Sequence, residues 1–265
     1  MSDIVIRNPW DQLRRFTAAR IALGRTGVSL PTAPQLAFQL AHAQARDAVH
    51  LELDDASLAK DLTAALGLPC ISVHSAAPDR ATYLRRPDLG RMLDPASRSA
   101  LDRAGTYDIG FVIADGLSAL AIERHALPFL RSWFGAEAPG AMPVAPLVIV
   151  RQGRVAVGDE VAQLLGVELV VVMIGERPGL SSPDSMGLYL TWQPRVGMTD
   201  ERRNCISNVR PAGLAYADAA RKLHYLAAQA RRRGLSGVAL KDDCGDDALA
   251  VDDHANFLLS MGSDT

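Results

Sequence analysis

Aromatic side chains are scarce. Phe, Trp and Tyr make up 5% of the 265 residues. That scarcity argues against an aromatic-rich binding module and for helices packed on a sheet through Ala, Leu and Val. Cysteine is scarcer still. Cys70, Cys205 and Cys244 lie far apart, form no Cys-x-x-Cys pair and offer no disulfide framework, which fits a reducing cytosol. Excess charge of one sign is missing as well. A net charge of -2 gives no reason to expect nucleic acid as a partner. No apolar run is long enough to span a bilayer, since residues 165–174 are few and broken by Gly166 and Glu168. The first residues lack the basic-then-apolar pattern of a signal peptide.

Motifs are missing too. No Gly-x-x-x-x-Gly-Lys-Ser/Thr loop is present, and no Gly-x-Gly-x-x-Gly follows a strand, so the usual phosphate cradles are excluded. The six histidines (His42, His50, His74, His125, His224 and His254) form no His-Glu-x-x-His or zinc-like cluster, so structural or surface roles are expected and no metal site. No Gly-x-Ser-x-Gly elbow exists. Cys205 has no histidine near it in sequence and reads as a small hydrophobe before a nucleophile.

What is present is an α/β rhythm in a chain that is 48% hydrophobic. Asn8-Pro9 reads as a helix start, with the helix running over 8–23. Further helices are expected over 32–49 and 55–66, and a strand over 71–75. From about residue 96 the pattern alternates: helix 95–103, strand 109–114, helix to 133, strand 147–150, helix 159–165, strands 168–174 and 188–192, and an Ala-rich helix over 212–233. Strands alternating with helices imply a Rossmann-like, mainly parallel sheet flanked by helices, with an N-terminal helical extension. We expect that extension over 1–95, an α/β domain over 96–240, and an acidic, loosely ordered tail over 241–265 in which 257–259 could form a short helix.

The apolar run 171–174 ends abruptly in Gly175-Glu176-Arg177-Pro178-Gly179. Ligands of open α/β sheets bind outside the carboxyl ends of the strands. Glu176 and Arg177 therefore stand at a functional edge, unless they are a surface ion pair. Gly175 and Gly179 would let the backbone approach a ligand. Asp115-Gly116-Leu117-Ser118 is a strand-to-helix turn that reads either as a cap made by Ser118 or as a polar ledge. Arg14, Arg15, Arg20 and Arg25, mixed with Trp10, Leu13 and Phe16, make either a solvated helix face or a docking surface.

Seven ordered segments together resemble the small (light) subunit of ethanolamine ammonia-lyase, over about residues 8–240. They are Leu13 through Gly27, Ala45-Arg46-Asp47-Ala48-Val49-His50, and Tyr83-Leu84-Arg85-Arg86-Pro87-Asp88-Leu89-Gly90-Arg91. Then come Ala114-Asp115-Gly116-Leu117-Ser118, Gly153-Arg154-Val155, Gly175-Glu176-Arg177-Pro178-Gly179-Leu180 and Cys205-Ile206-Ser207-Asn208. The resemblance implies a subunit of an adenosylcobalamin-dependent carbon–nitrogen lyase that converts ethanolamine to acetaldehyde and ammonia by a radical route. It implies a hetero-oligomer in which the large subunit holds the substrate and the small subunit closes the cobalamin site, with no catalysis by this chain alone. Three positions carry over as cofactor contacts: Val155, Glu176 and Cys205. The cofactor is expected to keep its own base on cobalt. Asp252-Asp253-His254-Ala255-Asn256-Phe257 begins the pattern of a cobalt-binding histidine but has Phe257 where glycine is needed. The resemblance implies a cytoplasmic enzyme and allows enclosure in a bacterial microcompartment. The N-terminal extension would grip the large subunit through an interface above roughly 2,000 Å². Two rivals stand beside this reading. One is a self-sufficient α/β enzyme acting on a nucleotide or small acid, with Asp115 and Glu176 as acid and base. The other is a scaffold with no cofactor contact.

Overall fold

The computed structural model describes residues 4–101, 105–135 and 142–243. Six strands form one sheet: β1 (Cys70–His74), β2 (Tyr107–Ala114), β3 (Leu147–Arg151), β4 (Val167–Gly175), β5 (Met186–Trp192) and β6 (Arg203–Val209). Their order is β1-β3-β2-β4-β5-β6. The first four in that order pair in parallel, and β5 and β6 extend the sheet antiparallel. The helices are α1 (Thr32–His50), α2 (Asp55–Leu66), α3 (Arg80–Arg85), α4 (Pro95–Leu101), α5 (Ala119–Gly135), α6 (Val157–Leu165) and α7 (Tyr216–Arg233).

Alternation along the strands sorts the core into two layers. Phe111, Ile113, Val171 and Met173 face α2, α5 and α7 through Leu62, Ile122, Phe129 and Leu223. Val112, Val170 and Val172 face the opposite side, against Leu101 of α4 and Val157, Val161 and Leu165 of α6. The result is a mainly parallel sheet with helices on both faces, as the alternating pattern implies. β1, from upstream of residue 95, pairs with β3 and belongs to the same sheet.

Local chemistry sets several boundaries. α2 starts where the Asp54 carboxylate accepts from the Ser57 N–H at 3.0 Å and stops at Gly67, whose φ is +68°. α6 can sit against β4 because a Cβ on Gly158 would fall 2.2 Å from Val172 Cγ2.

Three expectations are corrected. The helix over 8–23 is only a 3-10 turn, Asp11–Arg15. Asn8 Oδ1 accepts from the Trp10 N–H at 2.9 Å, and the chain then returns so that Ile6 bridges Arg25. None of the segment's residues is buried among the described residues, and a short helix without packing is marginal. Second, β6 has no forecast, because Arg203-Asn204-Cys205-Ile206-Ser207-Asn208 holds too few apolar residues. It forms because Arg203 is anchored within the protein, its guanidinium donating to both Asp159 oxygens at 2.7 and 2.6 Å. Third, α3 falls in a segment read as a connection. The expectations for the tail beyond residue 243, including 257–259 and His254, lie outside the described residues.

Candidate functional site

The carboxyl ends of β2, β3 and β4 meet at one edge, and the crossovers that leave β2 and β3 run over opposite faces of the sheet. Such a reversal opens the crevice in which doubly wound proteins bind ligands. Here the chain fills that crevice itself. Asp115, just past β2 and 2% exposed, accepts from the Gln152 N–H at 3.0 Å and the Gly153 N–H at 3.1 Å. Arg80 lies 3.7 Å from the same carboxylate and donates to Gly116 O at 2.8 Å. The Tyr83 ring meets both Arg80 and Arg154, whose guanidinium carbons stand 4.8 and 4.2 Å from its centre. Burial pushes the Asp115 carboxyl up, against the pull of the Gln152 N–H, Arg80 and the Gly153 N–H. Both oxygens point into the protein, so Asp115 is not placed to exchange protons with a substrate.

Ser118 is the cap: its Oγ accepts from the Ala121 N–H at 3.3 Å. Gly175 lies against the turn after β2. A Cβ there would fall 2.1 Å from Ser118 O, so its missing side chain lets the β4 terminus touch the turn after β2. Leu117 N–H closes that contact on Gly175 O at 2.9 Å. Gly179 belongs to a tight turn with Ser182.

The open part of the edge lies over β4, β5 and β6. Glu176, just past β4, is half-buried. Its Oε2 accepts from the Ser185 hydroxyl and, at 3.2 Å, from the Asn208 N–H. No ion pair joins Glu176 to Arg177 among the described residues, which sets the ion-pair reading aside. Glu176 Oε1 faces Gly187, where an added Cβ would lie 3.0 Å from that oxygen and 3.2 Å from the Tyr189 ring. The missing side chain of Gly187 thus lets the Glu176 carboxylate and the Tyr189 ring close over β5. Cys205 is exposed and stands opposite Tyr189 in the β5–β6 register, with its Sγ 3.3 Å from Ser207 Oγ. Burial, then the neighbouring Cys205 and Glu176, push the Tyr189 hydroxyl well above its usual range, so it stays a neutral donor. Val155 sits in the turn between β3 and α6. It packs, as Tyr189 does, against the core layer that includes Val172 and Ile174.

Of the three residues singled out in the sequence, Glu176 and Cys205 meet around Tyr189, and Val155 stands on the same face of the sheet. The sequence reading missed Tyr189, Gly187, Ser185 and Asn208. A period of two was available as a signal: Met186, Leu188 and Leu190 face the core, so Gly187 and Tyr189 share the other face.

Among the described residues no group of three or more His, Cys, Asp or Glu is placed to bind a metal ion. His224 stacks on Trp133 at 3.6 Å, and His125 Nδ1 lies 2.8 Å from the Tyr216 hydroxyl. His125 Nε2 is buried 3.4 Å from Asp184 Oδ2 without a hydrogen bond.

Fold and edge together define a doubly wound α/β protein whose switch-point crevice is sealed and whose accessible face is an open wall of mixed polarity. The family described as ethanolamine ammonia-lyase light chain (EutC) matches residues 7–241. Proteins named ethanolamine ammonia-lyase small subunit are similar along nearly their whole length. That of Ralstonia nicotianae is 58% identical over 260 residues, covering 96% of each chain. Those of Azotobacter vinelandii and Pseudomonas putida are 56% and 55% identical, each match covering 96% of this chain and 97% of the other. The chain belongs to the ethanolamine ammonia-lyase light-chain family.

Proposed function

We propose that this chain is the small subunit of an ethanolamine ammonia-lyase and that its β4–β6 edge forms one wall of a base-on adenosylcobalamin site completed by the large subunit. The observation that carries this reading is the Glu176 carboxylate, held by one oxygen at the end of β4 beside Tyr189 and the exposed Cys205. Cobalamin presents an apolar macrocycle rimmed by neutral amide arms, which calls for flat apolar contact and scattered acceptors and donors. The residues present fit that demand. Glu176 Oε1 accepts no hydrogen bond from the described residues and is free to take an amide N–H, a charge-assisted bond. Its other oxygen is held by Ser185 and Asn208, so the carboxylate is oriented before any ligand arrives. Tyr189 offers a ring and a donor, Val155 apolar contact, and Cys205 a small polarizable group.

The chemistry supplied by the bound cofactor is homolysis of its cobalt–carbon bond to an adenosyl radical, by which ethanolamine is converted to acetaldehyde and ammonia. This chain's share is to bind and orient. With both oxygens held by the Gln152 and Gly153 N–H groups, Asp115 is not available to pair with Glu176 as acid and base.

The large subunit has a surface to meet. α1 buries only Ala41 and Ala48 along 19 residues, and Leu36, Phe38 and Leu40 are exposed, as are Ile4, Trp10 and Val28 upstream. So many exposed large apolar side chains in one segment suit an interaction surface. No helix among the described residues is long and apolar enough to cross a membrane. Cytoplasmic residence, with or without a microcompartment around the enzyme, accords with this reading.

The test is reconstitution. The isolated chain is expected to show no turnover, and activity should appear on adding the large subunit and adenosylcobalamin. Glu176→Ala should weaken cofactor binding by the complex about tenfold, the worth of one charge-assisted hydrogen bond. Turnover by the isolated chain would overturn the proposal, and unchanged affinity in Glu176→Ala would reduce the chain to a scaffold.

A further inference from the structure

The turn that carries Val155 is held more firmly than the start of a helix requires. Gln152, its first residue, is in the left-handed region at φ +55°, a conformation that non-glycine residues keep only where surroundings impose it. Those surroundings are identifiable. Asp115 binds the N–H groups of Gln152 and Gly153. The Tyr83 hydroxyl donates to Gly153 O at 3.1 Å, the Arg154 N–H donates to Gly90 O at 2.7 Å, and Arg80 donates to Gln152 Oε1 at 3.2 Å. A Cβ on Gly153 would fall 3.0 Å from Ala114 Cβ, so the turn also lies directly on β2. Three consecutive residues thus have their backbone groups tied to β2, α3 and the segment before α4. Downstream, the Val155 carbonyl accepts from the Gly158 N–H at 3.1 Å as α6 begins.

We infer that Asp115 and Tyr83 are positioning residues for the cofactor wall: lodged where related folds would hold a ligand, they fix the turn that presents Val155 and touch no cofactor themselves. The inference rests on the proposed function, because it presupposes that Val155 meets cobalamin. Its physical basis is that a misplaced contact loses its energy even when the contacting group is intact.

A double-mutant cycle tests it in the assembled two-subunit enzyme, with equilibrium binding of cyanocobalamin, which cannot turn over, read by absorbance after gel filtration. Asp115→Asn keeps the volume but turns an amide N–H toward a backbone donor. It should weaken binding about tenfold, and Tyr83→Phe several-fold, with the KM for ethanolamine unchanged. In a Val155→Ala background both losses should shrink toward none, because the group they position is gone. If Asp115→Asn fails to fold, Tyr83→Phe carries the same cycle. Unchanged affinity in Tyr83→Phe, or losses as large with Val155→Ala as without it, would overturn the inference while leaving the proposed function standing. Val155→Ala and Glu176→Ala both binding like wild type would instead bring down the proposed function, and this inference with it.

Discussion

The segment over residues 4–50 and the sheet that follows it use similar residues to opposite ends. In the sheet layers Leu62, Phe111 and Val172 are fully or almost fully buried. In the leading segment Trp10 is 66% exposed and Leu36 58% exposed, and α1 buries two alanines. Apolar content alone therefore does not say which region is core. The difference is whether a second element of the same chain lies against the apolar face. The sheet region closes on itself, whereas the leading segment displays surface that, on the proposed function, another subunit covers.

The contrast can be broken or sharpened by experiment on the isolated chain. Phe111→Ala removes a side chain packed edge-on to Trp133 and Phe134 and should destabilise the fold by roughly 3–5 kcal/mol in urea unfolding. A loss below about 1 kcal/mol would mean this layer is not a close-packed core. Arg203→Met strands the Asp159 carboxylate in the interior and should cost about 3 kcal/mol, with Asp159→Leu added on top recovering much of the loss. A double variant no better than the single would show that the pair is not the anchor of β6.

A smaller effect follows from pH. Burial pushes His125 below its usual 6.5 while Asp184 pulls it upward, and burial also pushes His224 down. The unfolded chain then binds protons at a pH where the folded chain does not. Stability should be full above about pH 6.5 and decline as the pH falls through that value toward the folded pKa values. Unfolding midpoints at pH 7.5 and 5.5 would show the decline, and His125→Gln should reduce it. A rising midpoint would reverse the assignment. The least effect belongs to the leading segment. Trp10→Ala should change isolated-chain stability by no more than about 0.5 kcal/mol while weakening co-purification with the large subunit. If it unfolded the chain as Phe111→Ala does, the two regions would not differ in kind.

What could be read in the residues follows the same divide. The continuous apolar runs that became β2, β3 and β4 were legible because parallel strands covered on both faces need nothing else. α2 was legible to the residue because its terminal glycine is local in sequence. The segment over 8–23 carries a capping signal, yet a cap does not create a helix where, among the described residues, no core packs against it. β6 was illegible because its anchor, Asp159, sits on another helix 44 residues away. At the candidate site, Glu176 announced itself by ending an apolar run. The use of Asp115 did not, since the N–H groups it satisfies arrive 37 and 38 residues later.

The bond between Arg203 and Asp159 has one more consequence. Asp159 lies in the first turn of α6, four residues beyond Val155, and Arg203 lies on β6, two residues before Cys205. A buried ion pair therefore ties the start of α6, next to Val155, to the start of β6, next to Cys205. On the proposed function, the two contacts are therefore spaced before any cofactor arrives, and to spread them would mean pulling opposite charges apart in the interior.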